Sequence, residues 1–317
     1  MTRFLAQRLL QLLPLLLLTT VVSFAVMQLS PGGPLSAYEH SPSITAAQLK
    51  IIAHDLGLDQ PAPVQYWRWL SGLVHGQWGY SLQSGEPVAT LILERLGNTL
   101  ELVATAFAIS LLIAVPLGVL SSVRQYSGFD YLATFFSFVA YSIPVFWAGL
   151  MAQLLFSVKL GWLPVAGLYT EGVPWTFVDA IKHLALPALV LGLGLIAGWS
   201  RYLRSSMLEV LQLDYLRTAR AKGASSWSVV LKHALRNAVV PLVTVIALDI
   251  PLLFTGALVV EVVFSWPGEG RLFYDALQNR DYPVLMGVLL ISAFLILFSN
   301  LVADMLYGFL NPRVRYD

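Results

Sequence analysis

The sequence predicts an all-α, polytopic integral membrane protein with about six transmembrane helices. Hydrophobic residues make up 57% of the 317-residue chain and charged residues 12%, and the mean hydropathy is +0.71. A soluble surface draws on about 25% charged residues, so much of this surface must face lipid. Six runs are free or nearly free of charge and approach the ~20 residues that cross a hydrocarbon core. None alternates polar and apolar as a membrane β-barrel would. Helices are the expected form, because lipid cannot satisfy a free backbone N–H or C=O.

In chain order the runs cover 9–29, 102–123, 131–158, 184–200, 238–260 (broken by Asp249) and 284–303. Arg3 and Arg8 precede the first run as in a secretory signal. The run is long for one, and Val26-Met27-Gln28-Leu29 lacks a small-x-small site, so a retained helix is expected, cleavage being the alternative. The segment 30–98 is too long for a mere connection. In it Ser43 can cap a helix with Leu49, Ile52, Ala53 and Leu56 on one face, ended by Gly57. Pro61 and Pro63 mark a turn, after which Tyr66, Trp67, Trp69 and Trp78 suit the headgroup layer. They read as a lid or, alternatively, as a ligand-binding patch. The expected division is 1–98, the first helix with its structured outer loop, and 99–317, a core with five helices.

With the N-terminus inside, twelve of the 19 Lys and Arg fall on inner segments, so both termini are expected in the cytoplasm. The net charge of +1 supplies no field for nucleic acid, and the absence of cysteine excludes disulfides, thiolate metal sites and cysteine nucleophiles. No His pair has metal spacing among the five histidines.

The inner loop 201–237 carries seven of the twelve inner cations. Helix formers run from Tyr215 to Lys222. Gly223 fits the left-handed position after a helix, and Ser225 or Ser226 can cap the next one. A short exposed helix with small Thr218, Ala219 and Ala221 suits a groove on another protein. Alternatively, the cations simply hold anionic headgroups.

This loop resembles the coupling (EAA) loop of ABC importer permeases. Over nearly its whole length the chain resembles the dipeptide/oligopeptide/nickel permease family, with a type I importer fold. The motifs are Arg3-Phe-Leu-Ala-Gln-Arg8 followed by Pro31-Gly-Gly-Pro34, then Tyr215-Leu-Arg-Thr-Ala-Arg-Ala-Lys-Gly223 with His233-Ala-Leu-Arg-Asn-Ala238. They continue with Val263-Phe-Ser-Trp-Pro-Gly-Glu-Gly-Arg271, Asn279-Arg-Asp-Tyr-Pro283 and Asn311-Pro-Arg-Val-Arg-Tyr316. The chain has Arg217-Thr218-Ala219 where the general pattern has Glu-Ala-Ala, a change usual in the peptide branch. It also has Gly33 where Asp is frequent, and Glu269 where a hydrophobic residue is frequent.

The resemblance implies a bacterial inner-membrane permease that pairs with a second, homologous permease as a heterodimer. Two ATPase subunits and an extracytoplasmic substrate-binding protein complete the transporter. The docking helix would be Tyr215, Leu216, Arg217, Thr218, Ala219, Arg220, Ala221, Lys222, Gly223 and Ala224. Trp266, Pro267, Gly268, Gly270 and Arg271 would form an outer gate. No cofactor is expected on this chain; ATP and Mg belong to the partner ATPases, since the chain lacks a Gly-x-x-x-x-Gly-Lys-Ser/Thr motif. Peptides are the first expectation for substrate, with nickel chelates, glutathione or another solute as alternatives.

Asp249 is a costly acid within a span. It is expected either to line the path and meet a cationic group or to make a structural hydrogen bond. Glu261 is read as interfacial, and Asn300 with Asp304 as a packing pair. Gly192, Gly194 and Gly198 are read as a close helix approach. Pro116, Pro144, Pro187 and Pro251 mark either broken helices or bends. A self-sufficient secondary transporter is the rival reading. A membrane-embedded enzyme is weaker, because no hydrolase or zinc motif is present.

Overall fold

The computed structural model describes residues 2–29, 45, 48, 50, 53–54 and 57–310, with side chains from 10 to 305. The Pro31-Gly-Gly-Pro34 motif, the Asn311–Tyr316 tail motif and the expected Ser43–Leu56 helix, apart from Thr45, Gln48, Lys50, Ala53 and His54, lie outside the described residues. The helices are α1 (Thr2–Leu29), α2 (Ala62–Val74), α3 (Val88–Val123), α4 (Gly128–Ser142), α5 (Val145–Lys159) and α6 (Phe177–Leu211). They continue with α7 (Asp214–Ala221), α8 (Ser226–Val263), α9 (Glu269–Gln278) and α10 (Tyr282–Leu310). Five of them are long and apolar enough to cross a membrane, and six spans result if the α4–α5 pair counts as one.

The expected single helix over 131–158 is corrected. The chain bends by 109° between α4 and α5. Pro144 forces Ile143 into an extended conformation (φ −79°, ψ 128°), and α4 ends there. The other three prolines sit inside continuous helices. The loop expected to reach Asn98 ends ten residues earlier, at the start of α3.

Two compact units divide the chain, Met1–Thr99 with Pro267–Leu297, and Leu100–Trp266 with Phe298–Asp317. In the first, α2 begins after Pro61, with proline in its first turn where a missing N–H costs nothing. Its Tyr66 and Trp69 rings lie 5.4 and 6.4 Å from Phe24 of α1, and Tyr66 Oη meets Thr20 Oγ1 at 2.8 Å. Three of the four expected aromatics therefore pack inside the unit: these two and Trp78, which joins the core of Val88, Ile92, Tyr282 and Val288. Trp67 stays 69% exposed. A Cβ on Gly287 would stand 2.8 Å from both Val88 and Ile92, so this glycine lets α10 close on α3. Leu10, Leu13, Leu17 and Leu18 of α1 are exposed, as a lipid-facing helix requires.

The second unit is built on α6 and α8. One apolar cluster joins Leu102, Ala106, Val190, Leu253, Phe264 and Trp266. Another joins Trp199, Leu203, Met207, Leu216, Val229, Ala238 and Leu242. Residues Val229–Ala234 of α8 form a π-helical stretch, a wide turn often found at functional sites.

Candidate functional site

The hairpin of α7 and the start of α8 forms as its residues dictate. Asp214 stands in the first turn of α7 and Arg220 in the last, each favourable to the helix dipole. Gly223 follows at φ +85°, a conformation in which a Cβ is strained. Ser225 caps α8 by accepting from Ser228 N–H. Leu216 is the side chain of α7 that is fully buried, with Ala219 and Ala224 half-buried beside it. Tyr215 donates its hydroxyl to the His233 carbonyl and accepts from the Asn237 amide at 2.7 Å, tying α7 to α8. Arg217, Thr218, Arg220, Ala221, Lys222 and Gly223 are exposed. The Arg217–Asp214 contact, 3.5 Å and fully in solvent, contributes little. Of the three small residues, Ala219 thus belongs to the hairpin's own packing, while Thr218 and Ala221 face outward.

The expected outer turn falls across the boundary between the units. In the second unit Trp266 is 1% exposed and packs in the apolar cluster. In the first unit the Pro267 carbonyl accepts from Asn98 Nδ2 at 2.8 Å, and Glu269 N–H donates to Thr99 Oγ1 at 2.7 Å. Gly268 and Glu269 are buried, Gly270 is half-buried, and Arg271 pairs with Asp275 at 3.7 Å. Asp281 is buried and accepts from the Ser81 hydroxyl. Glu261, expected at an interface, has no exposed surface at all and sits inside the second unit.

Asp249 lines a cavity of about 460 Å³ in the second unit and accepts a hydrogen bond from Trp199 Nε1 at 2.8 Å. Both expected roles therefore have a counterpart in the geometry. The three glycines of α6 separate. A Cβ on Gly192 would clash with Ser110 Oγ and stand 3.1 Å from the Ala106 carbonyl oxygen, so α3 and α6 do approach there. Gly194 and Gly198 have open space and line the cavity, which corrects their reading as packing residues.

One pairing was not legible. Arg204 forms a bidentate pair with Asp130, at 2.6 and 2.7 Å, with Asp130 3% exposed. Asp130 also accepts from Tyr126 N–H. The signal was local: Ser127 stands three residues before Asp130, ahead of an apolar run, and its hydroxyl accepts from Asp130 N–H. The long-range partner had no such signal.

The binding-protein-dependent transport system inner membrane component family matches residues 114–316, and the N-terminal model of the same systems matches residues 1–103. The chain belongs to this family. It is a multi-pass membrane subunit of a transport system. The oligopeptide transport system permease protein AppB of Bacillus subtilis is 44% identical over the whole of both chains. The dipeptide transport system permease protein DppB of Escherichia coli is 39% identical, covering 100% of this chain and 99% of that one. Among solved structures, the inward-facing MetNI methionine ABC transporter matches with TM-score 0.54 at 18% identity, over 71% of this chain and 98% of that chain. An amino acid ABC transporter matches with TM-score 0.53 at 13% identity, over 69% and 94%. At those identities the likeness concerns the fold alone.

Proposed function

We propose that this chain is the permease subunit of an ATP-driven importer of peptides, in the bacterial inner membrane, and that α7 is the part a separate ATPase grips. The observation that carries the reading is the hairpin. A short helix is anchored through Leu216 and Tyr215, and its other face, with Arg217, Thr218, Arg220, Ala221 and Lys222, is left to solvent. A rigid, small-residue helix of this kind suits a cleft on another protein. Peptides follow from the relatives' names, and a heterodimer with a second permease, paired ATPases, an outer binding protein and cytoplasmic termini complete the proposal. ATP closure of the ATPase pair would carry α7 as a rigid body and swing the attached helices between two openings.

The chain contains no cysteine, so Arg220→Cys introduces a single reactive thiol on the exposed face. In membranes that hold all subunits, cross-linking from it is expected to capture a nucleotide-hydrolysing subunit. Gly223→Val, which strains the turn at positive φ, is expected to lose that subunit on purification. Uptake by the purified chain alone, in vesicles without ATP, would instead establish a self-sufficient transporter.

A further inference from the structure

Two opposite charges line the same cavity of the second unit without pairing with each other. Arg201 comes from α6, on the face that also presents Gly194, Gly198 and Tyr202 at helical spacing. Asp249 comes from α8, on the face of Val245, Leu252 and Gly256. A low dielectric strengthens the attraction between unlike charges, so two such groups in one cavity ought to close on each other. Here each is held by aromatic groups of its own. The Arg201 guanidinium lies 4.7 Å from the Phe138 ring centroid and 5.1 Å from that of Tyr141, and its Nε–H donates to the Ala197 carbonyl. The Asp249 carboxylate is held by Trp199 Nε1–H. Among the described residues neither has an ion-pair partner, although Arg204, three residues along the same helix, has Asp130.

The geometry points to a receptor for a zwitterion. Arg201 takes the terminal carboxylate of a short peptide, Asp249 takes its terminal ammonium, and Gly194 and Gly198 leave room for backbone between them. Guanidinium forks match carboxylates in shape, and cation–π contact leaves the outer N–H groups of Arg201 available. The apolar remainder of the wall, with Val190, Leu191 and Leu253, accepts side chains without selecting among them. This rests on the peptide reading above and names where on the chain the peptide is recognised.

The test uses the assembled transporter in nanodiscs without its binding protein, so that recognition by that protein does not enter. The probes are three photoreactive tripeptides of one sequence: with free termini, N-acetylated, and C-amidated. Adducts are located by mass spectrometry. In the unaltered protein, each blocked peptide is expected to label α6 and α8 about tenfold less than the free one, the scale of one charge-assisted hydrogen bond. Asp249→Asn removes the difference between free and acetylated peptide and keeps the difference between free and amidated; Arg201→Gln does the converse. Arg201→Lys restores part of the preference for a free carboxylate. Equal labelling by all three peptides in the unaltered protein overturns the inference. So does an equal loss for all three in each variant. The Arg220 cross-link is measured on the same samples. If it captures the ATPase while the peptides fail to discriminate, the transport reading stands and this one falls.

Discussion

Arg201 and Arg204 lie one turn apart on α6, yet they stand in opposite situations. Arg204 is closed: both of its bonded nitrogens meet the buried carboxylate of Asp130, which also accepts from the Tyr126 amide. Arg201 is open: its charge rests on two aromatic faces, with a cavity in front of it and an acid across that cavity. A saturated ion pair inside apolar helices holds two elements in register. A charge kept available beside empty space suits a visitor. Side-chain type does not distinguish the two; what each guanidinium finds within reach does.

The comparison is broken most forcefully at the closed pair. Asp130→Ala leaves Arg204 with its charge uncompensated, and a cost of about 3–5 kcal/mol is expected. Thermal unfolding of the detergent-purified chain measures it. Arg201→Ala should cost about 1–2 kcal/mol, because it loses partly exposed cation–π contacts and a hydrogen bond to a helix carbonyl; similar losses at both arginines would erase the distinction.

The glycines give the next effect. Gly118→Ala sets a Cβ 2.8 Å from the Ser200 carbonyl and 2.9 Å from Leu203, so overpacking should destabilise by about 1–3 kcal/mol. Gly198→Ala meets open space and should stabilise slightly, by up to about 1 kcal/mol, from helix propensity. A shared loss in the same unfolding assay would mean that the cavity is filled. The last test concerns the aromatic tether and reads a band position. Trp199→Phe removes the donor to Asp249, a bond to a charged group worth about 1.5–3 kcal/mol, and frees that acid to turn toward Arg201. Difference infrared spectroscopy of the carboxylate band should then shift toward an ion-paired form, and an unshifted band would show that the tether does not hold the two charges apart.

The hairpin was legible almost residue by residue, since Gly223, Ser225 and the run of helix formers act within a few residues of themselves. The existence of the spans was equally legible, from composition alone. The break at Pro144 was named among four prolines, but whether a proline bends or breaks a helix depends on the packing around it. Glu261 was read from its sequence distance to a span's end, which carries no signal of its full burial inside the second unit. The Asp130–Arg204 pair joins residues 74 apart, and nothing local marks its second half. The roles of Gly194 and Gly198 differ from that of Gly192 only through what α3 and α8 leave beside them.

The wide turn at Val229–Ala234 has a mechanical consequence. It sits near the foot of a 38-residue rod whose base carries the hairpin and whose middle carries Asp249. Asp249 is fifteen residues beyond Ala234, about 22 Å of helical rise, so a 10° tilt about that turn would displace the acid sideways by about 4 Å. Whatever pushes on the base of α8 therefore also resets the distance between two charges far above it.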